Sequence, residues 1–403
     1  MAAILSTETP TVEHSAVPWG AVLATVGAGL VSALQVGKGA IAAPLLQSAF
    51  RIDLAMVGWV ISVFAILGLV GGIAAGALSA RWGDRRILLA GLVATLAGAG
   101  LGSQAPSYQV LLFSRVLEGL GFLMTTVAAP AILRQIVPAP RQNFVFALWS
   151  CFMPTGMALA LLSGPLFASW QQMWLASALA TLLALACGLA LIPAGSGRDD
   201  ARSGNLLADT RLIVTSRAAV LLASAMMLYS AMFFAVFSFL PILLMNRMGA
   251  GVGLAGVLSA VASIANVGGN LGAGHLLGRG ASRPALIGIA STVMGLAAVG
   301  IFAFSLPGAA AFALCVLFAG IGGMIPATIL SSTPKVVPSA ALVAIAVGLV
   351  TQGNGLGQVL APIAIGAAIE TYGWSAPAVI VPLLAVLTIA VARAMRGTAI
   401  AEA

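Results

Sequence analysis

Long apolar runs alternate with short polar intervals along almost the entire chain. Twelve runs, each close to the roughly 20 residues that a helix needs to cross the apolar core of a bilayer, are separated by short connections. The pattern predicts twelve transmembrane helices, at about 18–42, 55–79, 87–103, 107–133, 143–168, 171–193, 217–244, 253–277, 284–305, 309–332, 340–369 and 375–395. Helices joined by such short connections must be antiparallel neighbours.

The longest polar interval, residues 194–216, divides the pattern into two sets of six helices. It is rich in glycine, aspartate and arginine, a composition typical of a flexible loop. We therefore predict an all-α integral membrane protein with a tail at 1–16, a six-helix bundle at 17–193, a linker at 194–216, a second bundle at 217–396 and a tail at 397–403.

The two halves repeat one another in sequence. An offset of 197 positions, for example from Gly71 to Gly268, needs no gap. The same offset aligns Pro44 with Pro241, Ile61-Ser62 with Leu258-Ser259, Gly72 with Gly269, Arg86 with Arg283, Gly91 with Gly288, Thr95 with Thr292 and Gly98 with Gly295. Internal repeats of apolar helices are typical of membrane transporters, and this one predicts two pseudo-symmetric bundles.

Composition and charge fit this topology. With 61% hydrophobic and 7% charged residues, the chain has too little polar surface for soluble domains of this length. The net charge of +8 reflects 18 basic residues, of which fourteen lie in alternate loops or the C-terminal tail: Arg81, Arg85, Arg86, Arg134, Arg141, Arg198, Arg202, Arg211, Arg217, Arg279, Arg283, Lys335, Arg393 and Arg396. The positive-inside rule therefore predicts a multi-pass membrane protein with both termini cytoplasmic. Because the basic residues are explained by this topology, we do not expect nucleic-acid binding.

Other classes of chemistry find little support in the sequence. Cys151, Cys187 and Cys315 fall inside predicted spans and make no disulfide framework, and the two histidines, His14 and His275, cannot form a metal cluster. A phosphate-binding P-loop is absent. We expect no metal, no cofactor, no ATP hydrolysis and no enzymatic activity.

Three segments carry a family resemblance. GALSARWGDRRILL, from Gly76 to Leu89, resembles the motif between the second and third helices of the major facilitator superfamily. RVLEGLGFL, from Arg115 to Leu123, resembles the motif that the same superfamily carries in its fourth helix, and Gly164-Pro165 resembles part of an antiporter motif. The segments beginning at Phe152 and Thr351 are similar to those of its bacterial cyanate and nitroimidazole transporter branch.

The resemblance implies a transporter fold of two six-helix bundles and a gating role for the first motif. Gly76, Arg81, Gly83 and Arg85 match the family pattern, together with Leu78. Ala80 stands where the family has an aspartate that helps to close the cytoplasmic side, and we assign that role to Asp84 as a hypothesis.

Lys38 lies about twenty residues into the first span, within an apolar sequence that continues beyond it. A charge at this depth is costly and usually faces a cavity or a partner, so Lys38 is a candidate substrate ligand. Gln35 precedes it by three residues, shares its helix face and could bind the same ligand. The alternative is a lysine that extends to the membrane surface past a helix end near Pro44.

Arg115 and Glu118 lie one helical turn apart in the fourth span. They could form a structural ion pair, or Arg115 could bind an anion while Glu118 exchanges a coupling proton. In this span an offset of 201 aligns Gly119 with Gly320 and Gly121 with Gly322, and it places Val316 and Ala319 opposite Arg115 and Glu118. The sequence therefore confines buried charge to the first half.

The second half offers aromatic and amide groups instead. Tyr229, Phe233 and Phe237 recur every four residues in span seven and predict either core packing or one wall of a substrate cavity. Thr351, Asn354 and Gln358 follow helical spacing in span eleven, where polar groups favour cavity lining because amides in lipid need partners.

These features predict a monomeric secondary transporter that works by alternating access and is coupled to protons through Glu118. Two cations against one carboxylate predict a small organic anion as the substrate. The alternatives are proton-coupled efflux of apolar or cationic drugs and, more remotely, a membrane sensor that transports nothing.

Overall fold

The computed structural model describes residues 17–194, 206–339 and 342–398, apart from residues 53 and 250, together with residue 400. The predicted tail at 1–16 and the linker residues 195–205 lie outside this part. The helices are α1 (Trp19–Ile41), α2 (Ala43–Phe50), α3 (Leu54–Trp82), α4 (Asp84–Ser103), α5 (Tyr108–Ile136), α6 (Ala139–Ser150), α7 (Phe152–Ser163), α8 (Trp170–Leu191), α9 (Leu206–Thr215), α10 (Arg217–Phe237), α11 (Leu240–Met248), α12 (Val252–Gly278), α13 (Arg283–Ala303), α14 (Gly308–Gly322), α15 (Met324–Ser332), α16 (Val343–Tyr372) and α17 (Pro377–Met395).

The described helices contain twelve candidate membrane spans, six on each side of the linker, and the predicted all-α fold is confirmed. Large apolar side chains such as Val70, Leu183 and Val379 are exposed on the outside of the molecule. In water such a surface would be unfavourable, whereas in a bilayer it contacts lipid.

Two spans consist of two helices each, and proline explains both breaks. Proline has no N–H to donate to the carbonyl four residues earlier, and its ring crowds that carbonyl. Pro154 comes four residues after Ser150, where α6 ends, and Pro326 comes four residues after Gly322, where α14 ends. These breaks fall near mid-length of the fifth and tenth spans, which are not equivalent positions in the sequence repeat.

Proline also corrects the predicted extent of span seven. The sequence predicted one crossing at 217–244, but α10 ends at Phe237 and the chain continues as the separate helix α11. Pro241, in the first turn of α11, lies four residues beyond Phe237 and cannot continue the ladder of α10. The short helix α2 likewise follows α1 with a proline in its first turn, as the sequence repeat requires.

A second difference concerns the linker, for which the composition indicated a flexible loop. Residues Leu206–Thr215 form α9, and Ser216 then caps α10 by accepting a hydrogen bond from the backbone N–H of Ala219. Helix α9 packs against α10 and α16. The linker residues nearest the second half are therefore helical.

The two halves contact each other through two equivalent pairs of spans. Span two (α3) packs along span eleven (α16), and span eight (α12) packs along span five (α6 and α7). Span two of the first half is equivalent to span eight of the second, and span five is equivalent to span eleven. The repeat therefore converts the first pair of spans into the second. This relation is the pseudo-symmetry that the sequence repeat predicts.

Candidate functional site

A central cavity of about 790 Å³, open solvent at its mouth included, lies between the two halves. The first half contributes Phe122, Trp149 and Phe152, and Trp149 and Phe152 stack with their ring centres 4.5 Å apart. The second half contributes aromatic and amide side chains from α10, α12 and α16. A concave lining made mainly of apolar groups with a few polar ones is typical of a small-molecule site.

The polar side of the central cavity belongs to the second half. Asn266 donates hydrogen bonds to the hydroxyl of Tyr229 at 3.2 Å and to the carbonyl of Ala319 at 2.9 Å. Ser230 donates to the side-chain oxygen of Asn354. These bonds fix the two amides on the cavity wall, and the side-chain oxygen of Asn266 also accepts a hydrogen bond from Asn270 at 2.7 Å.

Of the nine side chains predicted to bind substrate, five line this cavity: Tyr229, Phe233, Thr351, Asn354 and Gln358. Phe237 is not part of the lining, but it stacks on Phe233 with the ring centres 4.1 Å apart. Trp149 and Phe152 were missed by the sequence reasoning, because one tryptophan and one phenylalanine in an apolar span have no distinguishing pattern. The proline break that follows them was the available signal.

The other three predicted substrate ligands, Gln35, Lys38 and Arg115, lie inside the first half. Lys38 donates a hydrogen bond to Glu118 Oε1 at 2.6 Å, and Arg115 pairs with Glu118 Oε2. All three members of this charge cluster, Lys38, Arg115 and Glu118, are at most 2% exposed, and none lines the central cavity. The structure thus joins Lys38 to the ion pair, a contact that the sequence did not predict.

Further contacts hold the two cations of the charge cluster. Lys38 also donates to Ser177 Oγ at 2.9 Å, and its Nζ lies 4.5 Å from the centre of the Trp174 ring. Arg115 Nε donates to the Val60 carbonyl at 3.0 Å. Such partners are what a charge needs in order to remain buried. Gln35 donates to the carbonyl of Val31 at 3.0 Å, and its side-chain oxygen has no partner among the described residues.

Two aromatic rings separate the charge cluster from the central cavity. The Arg115 guanidinium lies 5.0 Å from the centre of the Phe64 ring, which lies 4.8 Å from the ring of Phe122 in the cavity wall. Among the described residues the cluster therefore makes no contact with the interior of the central cavity, and only its electric field reaches that interior. In an interior of low dielectric constant that field is weakly screened.

The predicted gating residues lie at one end of the molecule, which we call the basic end. It carries the α3–α4 and α12–α13 connections and the exposed side chains of Arg81, Arg86 and Arg279. Gly83 adopts φ 91°, which allows the tight turn between α3 and α4. These positions lie at the membrane surface, away from both the charge cluster and the central cavity.

Asp84 and Arg85 bind partners in the first half alone among the contacts that the structure describes. Asp84 accepts hydrogen bonds from Ser79 at 2.6 Å and Gln135 at 2.8 Å, and Arg85 donates to the carbonyls of Ile192 and Leu189. The loop therefore ties α3, α4, α5 and α8 together at the basic end. Whether Asp84 replaces the aspartate absent at Ala80 stays a hypothesis.

Close backbone packing closes the basic end. A Cβ added at Gly72 would meet the Gly348 carbonyl and lie 2.6 Å from Gln352 Cγ, and one at Gly76 would lie 2.8 Å from Ile345 Cα. On the equivalent side, Arg283 donates to Asn143 at 3.4 Å. The central cavity is thus sealed toward the basic end by glycine contacts between α3 and α16.

The chain is similar in sequence to known membrane transporters. The sequence profile described as "Major Facilitator Superfamily" matches residues 23–345. The galactose-proton symporter of Escherichia coli strain K12 is 30% identical over 149 residues, a match that covers 36% of this chain and 32% of the symporter. The chain therefore aligns with about a third of that relative's length.

Two solved structures share the architecture at low sequence identity. The proton:xylose symporter XylE superposes with a TM-score of 0.79 at 15% identity, covering 94% of this chain and 95% of XylE. The human organic anion transporter MFSD10 superposes with a TM-score of 0.76 at 14% identity, covering 93% of this chain and 99% of MFSD10. At these identities the likeness concerns the fold.

Proposed function

This chain belongs to the major facilitator superfamily, and from that premise we propose that it is a secondary transporter that moves a small organic solute by alternating access. The observation that carries the proposal is the position of the central cavity. It lies between two pseudo-symmetric bundles, takes its lining from both, and is sealed at one end by contacts between them. Rocking of the bundles about such a cavity would expose it to each side in turn.

The lining favours an uncharged solute as the first candidate. The described lining residues include Trp149, Tyr229 and Phe233 as aromatic groups and Asn354 and Gln358 as amides, but no charged side chain. A charged solute would lose its hydration there without gaining a counter-ion in contact. We expect a compound with an apolar face and a few groups that hydrogen-bond to amides and hydroxyls.

A small organic anion, the substrate predicted from the sequence, is the second candidate. The charge cluster contains two cations and one carboxylate, and it lies two aromatic rings away from the central cavity. Its net positive field favours an anion in the cavity and disfavours a cationic drug. Efflux of apolar drugs, the alternative predicted from the sequence, would need the same apolar cavity lining as the first candidate. It differs only in that the solute is moved out of the cell.

Proton coupling is proposed to act through the charge cluster around Glu118. Ionisable groups buried within membrane spans are costly to maintain and are typical of proton relays. The cluster brings together residues of spans one, four and six, so a change in its charge would alter how these spans pack. The relative with the galactose substrate is named as a proton symporter, which is consistent with this proposal.

The basic end is proposed to face the cytoplasm, with both termini on that side and the chain in a bacterial inner membrane as a monomer. The support is the concentration of exposed arginines at this end, including Arg81, Arg86, Arg141 and Arg279. In that orientation the conformation described above is closed toward the cytoplasm.

Ligand-dependent stability tests the site. The full chain in detergent would be heated with a panel of hexoses, uncharged aromatic lactones and aromatic carboxylates, and compounds that raise the Tm would then be tested in liposome counterflow. We expect an uncharged compound to stabilise wild type and lose most of its effect on Asn354→Ala, because Asn354 lines the cavity. Equal stabilisation of the variant would contradict the cavity assignment, and stabilisation by carboxylates alone would favour the second candidate.

A further inference from the structure

A second cavity lies inside the first half, near the end of the molecule opposite the basic end. This side cavity spans about 430 Å³ between α1, α7 and α8, open solvent at its mouth included, and it shares no lining residue with the central cavity among the described residues. Its lining is mostly apolar, and Lys38, Ser163 and Ser177 supply the polar groups. The side cavity therefore reaches the charge cluster, which the central cavity does not.

The charge balance of the cluster distinguishes its two proton-exchange candidates. Arg115 stays protonated in proteins, so only Lys38 and Glu118 can change charge. Loss of a proton from Lys38 leaves the neutral pair of Arg115 and Glu118, whereas protonation of Glu118 leaves two buried cations without a counter-ion. Because an uncompensated buried charge is costly, exchange at Lys38 is the favoured step.

The hydrogen bonds of Lys38 tolerate this exchange. The structure shows its Nζ donating to Glu118 Oε1 and to Ser177 Oγ. A neutral amine keeps two N–H groups for these two acceptors and gains a lone pair that can accept a proton. The lysine can therefore change charge while its side chain stays in place.

Access to water also favours Lys38. It lines the side cavity, whereas Glu118 and Arg115 are 0% exposed and line neither cavity. Lys38, Ser163 and Ser177 supply the polar partners that a water molecule in this cavity needs. On proton uptake an N–H bond forms at Nζ while an O–H bond of a hydronium ion in the side cavity breaks, and release reverses the step.

We propose that Lys38, rather than Glu118, takes up and releases the coupling proton, and that the proton reaches it through the side cavity instead of the substrate cavity. Glu118 is then a permanent counter-ion. The groups facing Lys38 are Arg115 and Glu118 of α5, Trp174 and Ser177 of α8, and Ala160 and Ser163 of α7. This assignment rests on the proposed function only in calling the proton a coupling proton.

Trp174 provides a reporter of the charge on Lys38, because the Lys38 Nζ lies 4.5 Å from the centre of its ring. The full chain in lipid nanodiscs would be titrated from about pH 5 to about pH 10 while tryptophan fluorescence is recorded. The difference between wild type and Trp174→Phe isolates the Trp174 signal. We expect a one-proton transition in this difference.

Two variants, each compared with its own Trp174→Phe partner, identify the group that titrates. Lys38→Arg keeps a permanent positive charge, so the transition should disappear. Glu118→Gln removes the counter-ion, so the transition should remain and move to lower pH. A transition that persists in Lys38→Arg, that disappears in Glu118→Gln, or that is absent from wild type would overturn the proposal. Because the titration needs no transport, its outcome is independent of whether the chain is a proton-coupled transporter.

The route is tested by filling the side cavity. Ala176→Leu places a larger side chain in its lining, and Ala186→Leu makes the same change at an exposed position of the same helix. After a stopped-flow pH jump, the Trp174 signal should relax several-fold more slowly in Ala176→Leu and at the wild-type rate in Ala186→Leu. Equal rates in Ala176→Leu and wild type would show that protons reach Lys38 by another route.

Discussion

Glu118 is a carboxylate that neutralises one of two buried cations and touches both. Its oxygens accept hydrogen bonds from Lys38 and Arg115, and all three groups lie in the interior of the first half. Removal of one partner from such a cluster costs more than the cluster contributes while intact, because the remaining charge stays buried. The three members should therefore differ in their effects on stability.

Glu118→Gln should be the most destabilising neutral substitution in the charge cluster. It leaves Arg115 without its carboxylate, which costs about 3–5 kcal/mol for a buried pair. Lys38→Met should cost clearly less, because the neutral pair of Arg115 and Glu118 remains. Denaturant unfolding of both variants in the same detergent measures the difference, and an equal loss of stability would contradict this charge balance.

Tyr229→Phe should weaken substrate binding roughly five- to tenfold, since the Tyr229 hydroxyl accepts a hydrogen bond from Asn266 at the cavity wall and a hydrogen bond contributes about 1 kcal/mol. Tyr372→Phe removes a hydroxyl from a residue that is 75% exposed and outside the cavity, and it should bind as wild type does. The Kd of any ligand found in the stability screen gives the comparison. Equal Kd values for the two variants would argue against a role for the Tyr229 hydroxyl.

Residue types and their spacing along the sequence predicted some of the residues that line this site but not all of the contacts within it. The seam of Thr351, Asn354 and Gln358 could be predicted, because polar groups on one face of an apolar helix must find polar surroundings. The contact between Lys38 and Glu118 could not, because it joins residues 80 positions apart and depends on how α1 packs against α5. For the same reason the sequence assigned Lys38 to the substrate cavity.

At the scale of the elements, glycines close the basic end, because they have no side chain to keep two helices apart. Helices α3 and α16 approach so closely at Gly72, Gly76 and Gly348 that a Cβ at these positions would meet the opposite backbone. Small residues permit such close approach between membrane helices. The sequence predicted the helices and their glycine clusters, but not which partner α3 would pack against, because that choice depends on the other ten spans.

Gly72→Ala should shift the conformational equilibrium away from closure at the basic end, since its Cβ would clash with Gly348 and Gln352. Gly68→Ala is the matched control on the same helix, because a Cβ there meets nothing within 4 Å. Spin labels at the exposed positions Arg86 and Arg279 report the separation of the halves at this end. The distance should lengthen by several ångströms in Gly72→Ala, and an unchanged distance would contradict the steric role of Gly72.

At the scale of the whole molecule, two halves with one architecture carry different chemistry. The first half holds the described buried charge cluster, and the second supplies Tyr229, Asn266, Asn354 and the other amides and aromatic groups of the central cavity wall. The repeat could be predicted from the sequence, because matched glycines and prolines determine where helices break and approach. Under the proposed coupling, a charge change in the first bundle acts on a cavity that both bundles line.

Alternating access requires the two ends of the molecule to open reciprocally, and two distances measured on the same protein test this most directly. Double electron–electron resonance would be recorded for Arg86 with Arg279 at the basic end, and for the exposed positions Gln104 and Ser305 at the opposite end. In wild type we predict a short distance at the basic end with a long one at the opposite end, and in Gly72→Ala a growing population with the reverse pattern. Distances that lengthen together, or an opposite end that stays unchanged while the basic end opens, would contradict the account.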